Sequence, residues 1–546
     1  MKNTLVFMLV LFPLFVSAQQ YSIDAPGQVS PLTKEDVNLR GEEAVTKDTV
    51  LPPPKFTYTL QTKRYATTIV IDTIRPAKLG SEPVQKLYRT YARAGVGNYS
   101  TIYGEFSAVS LRSKSSAWGI HFRHLSAGKG PSSVPGEFAG YNQQDVNLFG
   151  KKFLKKHTLY GALNYDRDAV YNYGGLAETA LYEKGAIRQH FNYFDGGARL
   201  KSHFTDSTAI NHEIGLRFYR LADRYDAREN NLLVEINGSR YIRTEKLDVG
   251  FGVDYNHNAG ATDTVTNTII RLQPVFSAQA KKFAASIGIG FYLEEGKNSL
   301  VHFYPQASLS FNVADHMLVP YITMGGFLGR NSYRSLTQQN PFLASSENLL
   351  LRNTSHQYIL SAGLRGSLTN EIAYDVRISH YNLLDAHFFV NTTSAQDIFQ
   401  NKFAIVYDKA QVTTLHGQVG WQHFEKMRVF ATLDWYKYQM EKEAHPWHTP
   451  TLRMALTGEY NLQDKILARA QIYYLNGQYA KVLEGSNLVA TTLKGVVDLN
   501  LGLEYRYTKF LSAFLNLNNV AAQRYQRWYG YPTQRFNLLA GLTYTF

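Results

Sequence analysis

The sequence predicts an all-β protein: a large transmembrane antiparallel up-and-down β-barrel of about 22 strands with a short N-terminal periplasmic extension. Three observations point there. Apolar side chains recur at every second position, short and long connections take turns, and aromatic residues are abundant in a chain of low mean hydropathy. Tyr and Phe number 38 and 31 and charged residues make up only 18%, yet mean hydropathy is −0.28. A barrel wall reconciles these figures, because only alternate residues of each strand face lipid. Beyond the N-terminal leader, no stretch nears the roughly 18 unbroken apolar residues that a membrane helix needs.

The leader reads "MKNTLVFMLVLFPLFVSAQQ". Lys2 supplies a positive charge, Leu5 to Val16 form an apolar run, and Val16-Ser17-Ala18 offers small residues before a cut. This is the layout of a cleavable secretory signal, too short and wrongly flanked for a spanning helix, so residues 1–18 are expected to leave by cleavage after Ala18. The chain has no cysteine, which excludes both lipid attachment at the cut and disulfides. A net charge of +13 suits anionic lipid or an anionic solute without choosing between them.

Residues 19–88 are expected to form a periplasmic or lumen-filling segment. A stretch of mixed charge leads into the stiff spacer Pro52-Pro53-Pro54, and then into "FTYTLQTKRYATTIVIDTIRPAKLG". Within it Thr68, Ile69, Val70 and Ile71 have high β-propensity and form a candidate docking strand for the sheet edge of a partner. The other role for this part is a short hairpin, in the lumen or in the periplasm.

The barrel is expected over residues 89–546. In "KLDVGFGVDYN", Leu247, Val249, Phe251, Val253 and Tyr255 share one face, while Asp248, Gly250, Gly252, Asp254 and Asn256 share the other. "VVDLNLGLEYRY" and "EIAYDVRIS" repeat the pattern, and the second face is charged and glycine-rich, as a watery lumen permits. Ten short polar turns are expected: Arg112–Ser116, Lys155–His157, Thr205–Ser207, Thr244–Lys246, Lys281–Lys282, Ala314–His316, Thr369–Glu371, Glu425–Lys426, Gln463–Lys465 and Thr508–Lys509. Generally longer connections lie between them, such as Gly128–Gln143, Tyr173–Arg188, Arg330–His356 and Gly477–Asn487. Ten turns and two terminal strands give about 22 strands, an even number, with short turns periplasmic and long loops outside. Keeping that alternation makes Asn401 to Phe424 one long strand rather than two split at Asp408-Lys409. Pro274, Pro305 and Pro320 fall inside strands, where a closed sheet has no edge to tolerate them. They are expected at bulges, beyond the membrane band, or at misplaced boundaries.

The last strand, "NLLAGLTYTF", is expected to close the barrel against the first, near Tyr91–Asn98. Its outward Leu542 and Tyr544 and its final Phe546 resemble the recognition signal that the outer-membrane assembly machinery reads in its clients. Anchoring of Tyr544 and Phe546 at the membrane interface is a compatible reading.

About 22 strands is the wall of outer-membrane transporters, and the region from Arg89 onward resembles the TonB-dependent receptor barrel in strand count, topology and terminal strand. The resemblance implies a place in the outer membrane, outer-membrane lipid as surroundings, and solute binding or passage. It departs from that family ahead of the barrel, where 70 residues, Gln19 to Tyr88, are too few for the family's plug domain. The lumen must then be blocked by inward-folded loops, by the N-terminal segment or by a partner protein. The alternative is a non-transporting barrel subunit of a larger outer-membrane complex.

Other features are weighed against plainer readings. His445 and His448 of "HPWH", with Glu443, have metal-ligand spacing but no third histidine nearby, so an ordinary exposed loop competes with a metal site. Arg365, Arg377, Arg469 and Arg506 alternate with Asp375, Asp434, Asp498 and Glu504 on luminal faces, as a selective path or as a cross-strand network. "LFGKKFLKKH" places four lysines at one periplasmic turn, where lipid headgroups or a periplasmic partner would meet them. No G-x-S-x-G, H-E-x-x-H or P-loop occurs, so neither an enzyme nor a cofactor is expected. Wall alternation accounts for the mixing of Arg with aromatics, so no nucleic acid is expected either.

Overall fold

The computed structural model describes residues 88–546 apart from 112, 132–138, 175–184, 261–263, 297–298, 315, 346–350 and 393–400. Cleavage at Ala18 and the Thr68–Ile71 strand therefore lie outside the described residues.

One antiparallel sheet of 22 strands runs from Thr90–Gly97 to Asn537–Thr545. Successive barrel strands pair with one another, and the last pairs with the first in a register from Tyr91↔Thr545 to Gly97↔Leu539. That pairing abolishes both edges, as a sheet in lipid requires. The seam is tight. Gly95 stands opposite Gly541, the Phe514 ring covers them from the lumen, and the Arg93 guanidinium lies 3.8 Å from the centre of that ring. The C-terminus is tied down as well, since Phe546 N–H donates to the Thr90 carbonyl at 2.8 Å and Thr90 N–H to the Phe546 carbonyl at 3.0 Å.

The expected alternation holds in three dimensions. Phe251, Tyr255, Val376, Ile378, Leu503 and Tyr505 point outward and are exposed, whereas Asn256 and Ser379 on the opposite faces are buried. The ten expected short turns all join consecutive strands at one rim. The other rim is less uniform than expected: residues 98–100, 224–227, 260–263 and 296–299 are short connections there. The loop expected at Gly477–Asn487 extends over 476–495 and folds into a hairpin of its own, Gln478–Glu484 with Asn487–Leu493. Phe403–His423 is one unbroken strand, as parity required.

The prolines are not at bulges. Register shifts occur instead at Gly325/Phe327, Gln357/Leu360 and Leu383/Ala386. Each proline sits where one of its two ladders is missing, so the absent N–H costs no hydrogen bond. Pro274 pairs with Val249, but the ladder on its other side skips from Leu272 to Val275. Pro305 pairs with Ile289, while its second ladder begins only at Ala307. Pro320 pairs with Leu364, and its second ladder ends at Tyr321.

Strands Ile372–Asn391 and Phe403–His423 contain 20 and 21 residues, about twice the 9–11 that cross a bilayer. Their upper halves rise past the membrane and are buried on both faces. Phe388 and Val390 pack with Trp447 on one side, and Phe389 and Phe403 join a separate core on the other.

Candidate functional site

That second core lies at the long-loop mouth of the barrel. It is built around the connection 330–353, which carries the helix Tyr333–Gln339. Ser332 caps the helix, accepting from Ser335 N–H while the Ser335 hydroxyl accepts from Ser332 N–H, and Asn340 ends it. Two turns of helix are too short to persist alone, so tertiary contacts must hold them.

Glu229 supplies the first contact. Its fully buried carboxylate accepts from Tyr333 N–H at 2.6 Å, Arg334 N–H at 3.3 Å and the Tyr219 hydroxyl at 2.7 Å. The first amides of the helix, which have no partner inside it, are thereby satisfied by the wall. Asp223 supplies the second contact, accepting from the Tyr333 hydroxyl at 2.9 Å, Gln189 Nε2 at 3.0 Å and the Ser345 hydroxyl at 2.5 Å. The Arg334 guanidinium lies 3.7 Å from the centre of the Tyr193 ring. Both ends of the connection are fastened too: Arg330 Nε donates to Asp254 at 2.6 Å, and Asn353 Nδ2 to Glu294 at 2.7 Å.

The far side reaches the opposite wall. Phe403 N–H donates to the Phe342 carbonyl at 3.1 Å, and Ala344 N–H to the Phe403 carbonyl at 2.9 Å. Phe342 stacks on Tyr531 at 3.6 Å, and the Tyr531 hydroxyl donates to the Asn401 carbonyl. Tyr219 and Phe403 belong to the seventh and sixteenth strands of 22, so the connection spans the lumen nearly along a diameter. Tyr193, Tyr219 and Leu221 meet it from the luminal face, while their neighbours Phe194 and Phe218 point outward and are exposed. Tyr333, Leu336 and Phe403 are fully buried in the result. The arrangement is a cap made from the chain's own loop.

Below the cap the luminal charges form the cross-strand network. Arg123 Nε meets Asp145 at 2.7 Å, His416 meets Asp434 at 2.7 Å and Arg469 meets Glu459 at 3.1 Å. Arg365 stands opposite Asp375, which accepts from the Tyr321 hydroxyl at 2.8 Å. Arg506 reaches Glu504 at 3.5 Å, and Asp498 is held at 3.0 Å by Tyr525, not by an arginine.

The "HPWH" stretch is no exposed loop. His448 is buried, its Nδ1–H donates to the Phe389 carbonyl at 2.9 Å, and its Nε2 accepts from Tyr529 N–H at 3.3 Å. Both ring nitrogens are thus used by the protein, and the Glu443 carboxylate is held at 2.7 Å by Trp447 and by Lys481. Among the described residues no cluster of His, Asp and Glu is arranged to hold a metal ion.

Burial pushes His448 down to about 4, from an ordinary value of 6.5. The stability contributed by this neutral ring is full above about pH 6.5 and is lost as pH falls through about 4, because the unfolded loop protonates first. The loss approaches about 3 kcal/mol. Fluorescence of Trp528, whose ring centre lies 5.3 Å from that of His448, is expected to report loosening across that window, and His448→Gln is expected to reduce the slope. An unchanged slope in the variant would mean another group drives it.

Leu542, Tyr544 and Phe546 all point outward from the terminal strand and are 51–57% exposed. Reasoning from sequence missed Glu229, Asp223 and Tyr333. The one local signal was the Ser332/Ser335 capping pair ahead of Leu336, a helix start inside a barrel loop.

No protein-family model matches the chain, and no curated protein matches its sequence. Solved structures do match its fold. The FrpB iron transporter from Neisseria meningitidis superposes with a TM-score of 0.65 at 10% identity, over 85% of this chain and 82% of that one. The ferric-catecholate import receptor Fiu from Escherichia coli K12 gives 0.63 at 11%, over 85% and 82%. The ferripyoverdine receptor of the Pseudomonas aeruginosa outer membrane gives 0.62 at 12%, over 85% and 72%. The expected likeness to TonB-dependent receptor barrels therefore holds for the fold: this chain has the closed 22-stranded barrel on which those receptors are built.

Proposed function

We propose that this protein is an outer-membrane receptor-like barrel that takes part in binding or passing a solute, with its mouth gated by the connection 330–353. The observation that carries this reading is the cap itself, fastened to Glu229 and Asp223 on one wall and to Phe403 on the other. A barrel of this size without a block would breach the membrane as a barrier. On this reading the chain is exported by cleavage after Ala18 and inserted through its terminal strand, Leu542, Tyr544 and Phe546 included. Thr68 to Ile71 serve as part of a short luminal or periplasmic hairpin, or as a docking segment for a partner, and the protein has no catalytic role. Because the structural neighbours are an iron transporter and receptors for ferric chelates, such chelates are the first ligands to assay.

Planar-bilayer recordings of the full chain test the gate. The wild-type protein is expected to be electrically silent, and deletion of residues 333–343 is expected to give large, steady conductance. A conducting wild type would mean the cap does not seal, and a silent deletion would move the block to the N-terminal segment. A second reading, a non-transporting scaffold, draws on how densely the cap fills the mouth. It predicts a stoichiometric partner on gentle extraction and no ligand-dependent response.

A further inference from the structure

The outer wall carries a hollow just above one of its short turns. Trp118 pairs with Gly150, Gly150 with Gly161, and Gly161 with Ala198, so the four form a row across neighbouring strands. The row lies on the outward face, where Trp118, Leu148, Leu163 and Phe194 are exposed. Its small residues floor a depression of about 610 Å³, walled by Trp118, Ile120, Leu148 and Leu163.

A glycine inside a strand weakens it and often marks the close approach of another group. Here no protein group approaches. A Cβ on Gly150 would meet nothing within 4 Å, and one on Gly161 only the Gly197 carbonyl oxygen at 3.8 Å. Gly417 and Gly458 also face outward into open space, but each stands singly, the first between Val376 and Leu433 and the second between Val429 and Ala470.

Toward the turn the same face becomes cationic. Lys152 follows Gly150 on the outward side, about 7 Å further along the strand. Lys155 and Lys156 make the turn, and Lys156 Nζ lies 5.6 Å from the centre of the Phe204 ring. That ring lies 5.6 Å from His157 and 6.0 Å from His212, and the two imidazoles are 5.3 Å apart, centre to centre. On the inner face nearby, Lys201 is paired with Glu213 at 3.4 Å, whereas no carboxylate among the described residues pairs with Lys152, Lys155 or Lys156.

We propose that the hollow and the turn beneath it form a binding site for a membrane phospholipid with an anionic headgroup. One acyl chain lies over Gly150 and Gly161 against Trp118, and the phosphate meets Lys152, Lys155 and Lys156. The order of the surface, apolar and then cationic, follows the order of that molecule. Unpaired ammonium groups act as point charges toward a phosphodiester and favour an anionic headgroup over a zwitterionic one. A chain seated in the hollow gives its lining the dispersion contacts that a gap would forfeit.

Trp118 is the local reporter. The full chain is reconstituted in phosphatidylcholine vesicles that hold a minor fraction of phosphatidylglycerol, with bromine on the acyl chains of one lipid or the other, and the Trp118 signal is the wild type less Trp118→Phe. At equal mole fraction, brominated phosphatidylglycerol is expected to quench Trp118 as though enriched roughly fivefold to tenfold over brominated phosphatidylcholine. Gly150→Leu, which fills the hollow, is expected to bring that ratio close to one. So is the triple variant Lys152→Gln/Lys155→Gln/Lys156→Gln, whose exposed positions keep the test valid if Gly150→Leu fails to fold. Equal quenching by the two lipids in the wild type would overturn the proposal. A preference that survives Gly150→Leu would also overturn it, by reducing the site to surface charge, as would one that survives loss of the lysines. None of these outcomes depends on whether the barrel conducts.

Discussion

Glu229→Ala is expected to unlatch the cap. The substitution removes the acceptor for Tyr333 N–H, Arg334 N–H and the Tyr219 hydroxyl, in a place that water does not reach. Each buried donor left without a partner costs about 1–3 kcal/mol. The Tyr219 hydroxyl keeps Ser332 Oγ at 3.4 Å, so the two amides carry the loss, about 3 kcal/mol together, enough to raise the open population by about two orders of magnitude. Hydrogen exchange at the amides of Tyr333 to Leu336 is expected to accelerate accordingly, and loop 330–353 is expected to become cleavable by added protease. Glu229→Gln keeps one acceptor oxygen and is expected to fall between the two. Unchanged protection in Glu229→Ala would show that the apolar packing of Tyr333, Leu336 and Phe403 holds the helix without the carboxylate.

Gly541→Val is expected to block closure of the barrel. A Cβ at this position would stand 2.1 Å from the Ala94 carbonyl oxygen and 2.6 Å from both Gly95 Cα and the end of the Phe514 ring. Two of these contacts are backbone, so the last strand can accept a side chain only by parting from the first. The lost pairs cannot be replaced in lipid. The folded, heat-modifiable band on unheated gels is expected to disappear, and the chain is expected to be degraded before insertion. Gly150→Ala is the control, because a Cβ there meets nothing within 4 Å. A normal folded yield for Gly541→Val would mean the seam is looser than its register implies.

The wall was legible because its rule is local. Leu247 to Asn256 alternate with the pleat, and turns such as Glu425–Lys426 are polar punctuation. Closure near Tyr91 followed from parity. The prolines were legible only in part, since Pro305 looks out of place until one knows that its second ladder begins at Ala307. The cap was not legible, because it depends on meetings between distant residues. Glu229 and Tyr333 are 104 positions apart, and in "ENNLLVE" the acid reads as one more luminal charge. His448 failed for the same reason: its partners Phe389 and Tyr529 are 59 and 81 residues away, so a buried structural ring looked like an exposed ligand or a bare loop. What reads well from sequence is repetition, and what reads poorly is a single encounter.

The tall hairpin 372–391/403–423 sets an order of events. Above the bilayer it is apolar on both sides, covered inwardly by residues 333–343 and outwardly by Trp447 and the hairpin 478–493. Bare in water, such a mast is adhesive, and the segments that sheathe its outer side are made and threaded after it. Maturation of the mouth must therefore wait for the last third of the chain, and a truncated product would be left with a sticky and unsheathed spire.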